Sequence, residues 1–240
     1  MNNGHQHGFS LIELAVVLVI VGLLVGGGIA ALDATQTQNR RAEQSRQLAN
    51  VREALYGFAM QEGRLPCPDD PDNGIDGKQD DNGTDCASDQ GVLPYADLAV
   101  GYRDAWGHPL LYAVDSDPFA RFDTDGGAQS TFALAPTVTG NLKIRVSDGG
   151  NILADNVPAL VLSFGSQGGQ IWTSGGFPCS SAPQGFSDDE TANCDGTVEF
   201  VDAGFRRAET DKGRFDDQMT WLPVSVLKTR MVQVGKLPQP

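Results

Sequence analysis

The sequence predicts an α+β fold: a long N-terminal helix whose first half spans a membrane, packed on an antiparallel β-sheet head with disulfide-closed loops. Three observations predict it. Residues 9–32 are an apolar run, an apolar stripe at helical spacing follows it, and the rest of the chain consists of short apolar segments separated by Gly- and Asp-rich turns. Helical periodicity followed by a series of short strands is typical of an α+β protein.

The first half of the predicted helix, residues 9–32, is apolar except for one carboxylate, Glu13. Twenty-four residues make about 36 Å of helix, which is enough to cross a bilayer. A carboxylate in the hydrocarbon layer costs about 3 kcal/mol or more unless it has a partner. Taken alone, the run is consistent with a simple single-pass anchor, but Glu13 then needs a separate explanation.

The second half of the helix is predicted over residues 33–62, as an amphipathic continuation of the same stem. Residues 33–47 are polar, and Leu48, Val51, Leu55 and Phe58 then recur at steps of three and four residues. That spacing places one apolar stripe on one side of a helix, where it packs against a sheet. Glycine at position 63 and proline at 66 predict that the helix ends at or shortly after residue 60.

The head, residues 63–240, is predicted to be one domain built mainly of strands. Short runs rich in β-branched and aromatic residues predict strands at 110–114, 131–138, 142–146, 159–164, 170–172 and 197–201. Their turn-rich connections favour an antiparallel meander lying on the stem helix. A closing helix is predicted over residues 223–234, with Leu227, Met231 and Val234 on one face.

Four cysteines fall into two local pairs, Cys67 with Cys86 and Cys179 with Cys194. Their spacing and the three histidines of the chain do not match a zinc site. Two disulfides closing short hydrophilic loops indicate an oxidising compartment such as the periplasm or the cell surface. Three connectivities are formally open, and the alternative is four reduced thiols in a cytosolic domain.

The segment between Cys67 and Cys86 contains seven aspartates and one lysine. Carboxylates this dense repel one another unless they are solvated or share a cation. Oxygen ligands with glycines at the bends suit Ca²⁺, and Asp72, Asp76 and Asp80 are the candidate ligands. The EF-hand pattern fails at its third position and at its terminal glutamate, so a solvated acidic loop is the alternative.

Charge and motifs exclude several function classes. A net charge of −14 without a large basic cluster argues against binding nucleic acid. The chain contains no G-x-S-x-G, H-E-x-x-H, Walker or Rossmann motif, so we expect that it is not an enzyme.

Residues 8–14, G-F-S-L-I-E-L, resemble the prepilin signal of type IV pilins and type II secretion pseudopilins. The resemblance implies a leader at residues 1–8, cleavage by a prepilin peptidase between Gly8 and Phe9, and N-methylation of Phe9. It also implies a role for Glu13, which would pair with the amino group at Phe9 of its own or a neighbouring subunit. Such a pair neutralises both charges and fixes the register between helices. The α+β fold would accordingly be pilin-like.

Residues 104–112 resemble the D-x-W-G-x-P-x-x-Y segment of major pseudopilins and several minor pilins. As a turn, it would use Trp106 and Tyr112 as apolar anchors and Asp104 as an acceptor of backbone hydrogen bonds, with His108 facing solvent. Major pseudopilins bind calcium in a loop downstream of this segment. The resemblance therefore implies a second candidate calcium site, which consists of Asp115, Asp117, Asp123 and Asp125.

The sequence thus predicts a structural subunit of a type IV pilus-like filament, first of all a minor pilin. A type II secretion pseudopilin is the alternative, and a membrane-anchored periplasmic module that binds calcium or a basic partner is the alternative of another class. The expected partners are prepilin peptidase, other pilin or pseudopilin subunits and the inner-membrane assembly platform. Before assembly the chain would span the inner membrane once, with its head in the periplasm, and afterwards it would lie in a pilus, a pseudopilus or at the cell surface.

Overall fold

The computed structural model of the chain describes residues 10–83, 85–115, 140–173, 177–179, 182–207 and 210–237, with only the backbone at 24–33 and 173. The chain divides into two compact units, Met1–Ala42 and Glu43–Pro240. Helix α1 (Leu11–Glu62) begins in the first unit and ends in the second. All described strands and the remaining described helices belong to the second unit, Glu43–Pro240, which is called the head from here on and includes the later turns of α1.

The end of α1 follows from one glycine. Gly63 has a φ of +82°, and its N–H donates to the carbonyl oxygen of Ala59 at 2.8 Å. This left-handed conformation is the common way for a helix to stop, because glycine has no Cβ to oppose it. The predicted end of the stem helix is confirmed.

The predicted apolar stripe of α1 is also confirmed within the head. Leu48, Val51 and Leu55 are buried, and Phe58 is half-buried against the same core. Tyr56 and Ala59 extend this buried face. The stripe therefore serves to pack the last turns of α1 on the sheet.

No helix in the part of the chain that the structure describes is both long enough and apolar enough to cross a membrane. The membrane-spanning first half that the sequence predicts, residues 9–32, is thus not confirmed.

The head contains seven strands, three further α-helices and a 3₁₀ helix at Gly165–Gln167 among its described residues. In chain order the strands and α-helices are β1 (Gln90–Val92), β2 (Leu111–Val114), β3 (Leu142–Arg145), β4 (Ile152–Val157), β5 (Ala159–Ser163), α2 (Gly168–Thr173), α3 (Asp188–Ala192), β6 (Glu199–Val201), β7 (Gln218–Leu222) and α4 (Val224–Gln233). The first sheet has the order β1-β2-β5-β7 and is antiparallel throughout.

The second sheet corrects the expectation of an antiparallel meander. Its order is β4-β3-β6, and β3 pairs with β6 in parallel. A parallel pair needs a long crossover, and β4, β5, α2 and α3 lie between these two strands in the chain. In the first sheet, likewise, β5 is the neighbour of β2 although β3 and β4 separate them in sequence.

The first sheet is buried on both faces, so the head has three layers. Tyr112, Val114 and Val161 belong to one hydrophobic cluster, together with the apolar stripe of α1 and Leu227 of α4. Alternate residues of the same strands, such as Leu111 and Leu160, belong to a second cluster with β3 and β6. The period-two alternation of strands explains this division, because successive side chains point to opposite faces.

The predicted strands at 110–114, 142–146, 159–164 and 197–201 are confirmed within one or two residues. The segment at 131–138 lies outside the described residues. The prediction at 170–172 is wrong, since these residues form α2. The closing helix is confirmed, with Leu227 and Met231 buried, whereas Val234 is the C-cap residue just beyond the helix and is 43 % exposed.

Candidate functional site

The start of α1 presents apolar side chains on all sides. Residues 11–23 are exposed throughout, and their large apolar side chains are 48 to 88 % exposed. A helix that is apolar all round is typically covered by lipid or by other helices. Covering a side chain of this kind contributes about 1.5–3 kcal/mol. This segment therefore has a strong physical drive to associate.

Glu13 is the only charged residue of this exposed segment. It lies in the first turn of α1, where the free backbone N–H groups favour a negative charge. The nearest arginine along the helix is Arg40, so no cation stands at the i±3 or i±4 positions of Glu13. The predicted cleavage and methylation residues, Gly8 and Phe9, lie outside the described residues.

Both predicted disulfides form with the local connectivity. Cys67 bonds to Cys86 and Cys179 bonds to Cys194, closing loops of 19 and 15 residues. Among the described residues, no cysteine is free.

The acidic loop closed by Cys67 and Cys86 is folded through its own carboxylates. The Asp70 carboxylate accepts from the N–H of Asp72 at 3.0 Å, and Asp76 accepts from the N–H of Lys78 at 2.9 Å. Asp80 accepts from the N–H of Asp70 at 2.7 Å. Aspartates commonly bind nearby backbone in this way at turns. Much of the acidity of the loop thus serves to fix its backbone.

Asp69 is the buried member of this loop. Its carboxylate accepts from the N–H of Gly77 at 2.6 Å, and its backbone pairs with Val92. Burial is the main cause that raises the pKa of Asp69 to about 6; the hydrogen bond from the Gly77 N–H opposes it, and the nearby carboxylates of Asp80 and Asp76 act in the same direction as burial. The Cα of Gly77 lies against the ring of Tyr95, where a Cβ would come within 2.4 Å. The loop is thereby closed over Asp69.

The described loop does not gather the candidate calcium ligands of the sequence. Asp72, Asp76 and Asp80 do not form a group of three within ligand distance, and Asp76 and Asp80 already accept backbone N–H groups. Of the second candidate set, Asp115 is buried, and its N–H donates to Pro158 at 2.9 Å. Asp117, Asp123 and Asp125 lie outside the described residues. Calcium binding by either set stays a prediction.

Asp104 organises the turn before β2, as expected from the D-x-W-G segment. One carboxylate oxygen accepts from the N–H groups of Trp106 at 2.9 Å and His108 at 2.8 Å. The other accepts from the hydroxyl of Ser163 at 2.6 Å. Gly107 completes the turn with a φ of +91°. Tyr112 is fully buried and donates to the carbonyl oxygen of Pro66 at 3.1 Å.

The other two side chains of this turn differ from the prediction. Trp106 is half-buried and is not a member of either hydrophobic cluster. His108 is half-buried rather than solvent-facing, and its ring packs against Gly168 and Gly169 at the start of α2. Its Nδ1 lies 3.1 Å from the carbonyl oxygen of Gly165. The histidine has a structural role in joining this turn to α2.

A buried acidic cluster, which the sequence does not reveal, is formed by Glu190, Asp216 and Asp217. Each is at most 4 % exposed, and their oxygens lie within 4.8 Å of one another. Glu190 belongs to a capping box with Ser187 at the start of α3. The S-x-x-E pattern at 187–190 is the one sequence signal that predicts this helix start. It does not indicate burial.

Burial dominates the electrostatics of this cluster. It raises the pKa of Asp217 well above its usual range, with Glu190 and Asp216 acting in the same direction and the Asn193 hydrogen bond opposing. Burial likewise raises the pKa of Glu190. Arg214 pairs with Asp216, and Asn193 donates to Asp217 at 2.8 Å. Burial and the neighbouring carboxylates thus make Glu190 and Asp217 retain protons more readily than exposed acids do.

The head also contains a cleft of about 500 Å³ that both disulfide loops border. Residues 70–72 and 87–90 form one wall, and residues 177–178 with Gly196 and Val198 form the other. The ends of β2 and β3, at Val114 and Leu142, contribute to its floor. We refer to it as the acidic cleft, because Asp70, Asp72 and Asp89 line it.

Comparison with known proteins identifies one family model, the prokaryotic N-terminal methylation motif, which matches residues 3–29. The motif is characteristic of type IV pilins and pseudopilins, and the matched residues include Gly8, Phe9 and Glu13. No curated protein and no solved structure matches the chain significantly. The match does not extend into the head.

Proposed function

We propose that this chain is a structural subunit of a type IV pilus-like filament, processed by prepilin peptidase between Gly8 and Phe9 and methylated on Phe9. The observation that carries the proposal is the methylation motif, which runs directly into a helix with exposed apolar side chains on all sides. The role is structural rather than catalytic.

The exposed apolar surface of α1 requires two successive partners in this proposal. Before assembly, residues 9–32 insert in the inner membrane with the head in the periplasm, and after assembly the helices of neighbouring subunits replace the lipid. Extraction from lipid is balanced by helix-to-helix burial of the same side chains, so neither state exposes them to water. The assembly platform of the inner membrane would carry out this transfer.

Glu13 would decide the register of that packing. In an apolar surface a single carboxylate is costly unless a cation meets it, and no cation of α1 stands near it. The new amino group at Phe9 of the same or an adjacent subunit supplies the missing charge. A subunit with a wrong axial position would leave both charges unpaired.

Within the class, we propose a minor pilin, on the basis of an elaborated acidic head with two disulfide-closed loops. A type II secretion pseudopilin is the second candidate, because the D-x-W-G turn is intact and Asp104 has the expected contacts. Deleting the gene distinguishes these two candidate functions. Loss of surface pili with normal protein secretion supports a minor pilin, whereas loss of secretion with normal pili supports a pseudopilin.

The primary test is mass spectrometry of the N-terminal peptide from native membranes, with and without the prepilin peptidase. We expect a chain that begins at methylated Phe9 only when the peptidase is present. An unprocessed chain in both strains would contradict the proposal and would favour a membrane-anchored binding module.

The second test replaces Glu13. We expect Glu13→Ala to insert normally but to be lost from sheared filaments, with Glu43→Ala as the matched control because Glu43 is also exposed on α1. Equal filament content for both variants would show that Glu13 does not set the register.

A further inference from the structure

We propose that the acidic cleft of the head binds an extended cationic segment of a partner protein, in which lysine or arginine residues alternate with apolar ones. The inference goes beyond the role of the chain as a filament subunit, because it assigns a binding surface to the head. It rests on the charge, the floor and the rigidity of the cleft.

The rim of the cleft is negatively charged. Asp70, Asp72 and Asp89 line it, and Asp72 and Asp89 are exposed. No lysine, arginine or histidine is among the described residues that line the cleft. The net charge of −14 adds a long-range attraction for cations. A cationic partner is thus favoured both in its approach and in its bound position.

The floor of the cleft is apolar. Val114 and Leu142 of the floor are buried, and the wall adds two apolar side chains, Phe177, which is 8 % exposed, and Val198, which is 40 % exposed. A volume of about 500 Å³ is large enough for several side chains. An extended segment places alternate side chains on opposite sides, so apolar residues can meet the floor while their cationic neighbours reach the rim.

The two walls are fixed to each other before any partner arrives. The Gln90 side-chain amide donates to the carbonyl oxygens of Thr197 at 2.8 Å and Gly196 at 3.3 Å. Gly196 packs so closely on Pro178 that a Cβ would come within 2.7 Å of it. The disulfides at Cys67–Cys86 and Cys179–Cys194 brace the loops behind these contacts. Such preorganisation reduces the entropic cost of binding.

The test measures binding of a fluorescent peptide, Lys-Val-Lys-Leu-Lys-Val, to the full chain in detergent micelles. A peptide of the same length with glutamate in place of lysine is the charge control. We expect saturable binding of the cationic peptide alone. We also expect the affinity to fall as salt rises from low to physiological concentration, because exposed charges are screened over about 10 Å.

Two pairs of variants localise the binding. Asp72→Asn with Asp89→Asn should weaken the affinity about 3- to 10-fold, whereas the matched pair Asp155→Asn with Asp211→Asn should leave it unchanged. Asp155 and Asp211 are also exposed but do not line the cleft. Val198→Ser should weaken binding, while Val146→Ser, at a similarly exposed valine outside the cleft, should not.

Absence of saturable binding, or an equal loss in the cleft variants and their controls, would overturn the proposal. Filament assembly plays no part in this measurement. A negative result here would therefore leave the tests of N-terminal processing and Glu13 unaffected.

Discussion

The Ser163 hydroxyl donates a hydrogen bond to the Asp104 carboxylate at 2.6 Å, which joins the end of β5 to the turn that precedes β2. Asp104 is 6 % exposed, and its other oxygen accepts from two backbone N–H groups. A single carboxylate thus fixes both the shape of the turn and its position on the sheet.

Replacing Asp104 tests this arrangement. Asp104→Ala leaves three buried or half-buried donors without an acceptor, so we expect the free energy of unfolding to fall by about 2–4 kcal/mol. Asp104→Asn retains one acceptor oxygen, so its free energy of unfolding should fall by less. Urea unfolding of the full chain in detergent, followed by tryptophan fluorescence, measures the change. The exposed Asp155→Ala is the control, and an equal effect there would contradict the assignment.

Asp69 should make the stability depend on pH. Its folded pKa of about 6 lies above the ordinary value of 3.8, so the folded state binds more protons between these limits. Stability from this group is therefore present below about pH 4 and is lost as pH rises to about 6. The Asp69→Asn side chain stays neutral at every pH, so the variant should lack this part of the dependence of unfolding free energy on pH. Parallel urea titrations from pH 4 to 7 compare the two, and identical slopes would show that Asp69 does not titrate in this range.

Asn193 and Asp217 should respond differently to substitution. The Asn193 side chain forms three buried hydrogen bonds. Its amide nitrogen donates to the carbonyl oxygen of Val201 and to the Asp217 carboxylate, and its amide oxygen accepts from the N–H of Val201. We expect Asn193→Ala to lower the free energy of unfolding by about 2–4 kcal/mol, because these groups lose their hydrogen-bond partners. Asp217→Asn should be neutral or stabilising at neutral pH, since the charged form of Asp217 is already disfavoured by burial and by Glu190 and Asp216. Thermal unfolding of both variants is the measurement, and a large loss for Asp217→Asn would show that its negative charge is required.

The disulfide at Cys67–Cys86 should contribute mainly by restricting the unfolded chain. Closing a loop of 19 residues is worth about 3 kcal/mol on the chain-entropy estimate. Cys67→Ala with Cys86→Ala should lower the unfolding free energy by about this amount. Guanidinium titration with and without a reductant provides the comparison. If the double variant is still sensitive to reductant, the Cys179–Cys194 bond accounts for the remaining effect.

The sequence predicts features that depend on neighbours along the chain. The stripe of Leu48, Val51 and Leu55, the stop at Gly63 and the closing helix follow from helical periodicity and from glycine's freedom at positive φ. The two short-range cysteine pairs were among the open connectivities, and the structure forms them both. The methylation motif is likewise local, and the family match confirms it.

The elements that the sequence did not predict correctly, which are residues 170–172, strand β4 and the turn around His108, depend on contacts with distant parts of the chain. Residues 170–172 form part of α2, in which Trp172 donates to the carbonyl oxygen of Pro109 and the preceding Gly168 and Gly169 lie close to His108. Edge strand β4 contains Asp155 and Asn156, residues that are rare in strands, so its sequence gave little signal. Short apolar runs do not distinguish helix from strand by periodicity alone.

By itself, the sequence determined the N-terminal motif, the stem helix within the head and most of the strands, because each depends on residues within a few positions of one another. Only the tertiary structure decided that β3 pairs with β6 in parallel, that Glu190 meets Asp216 and Asp217, and that both disulfide loops border one cleft. These relationships join residues 26 or more positions apart in the chain. They arise from burial and packing of whole layers, which no local pattern of residues encodes.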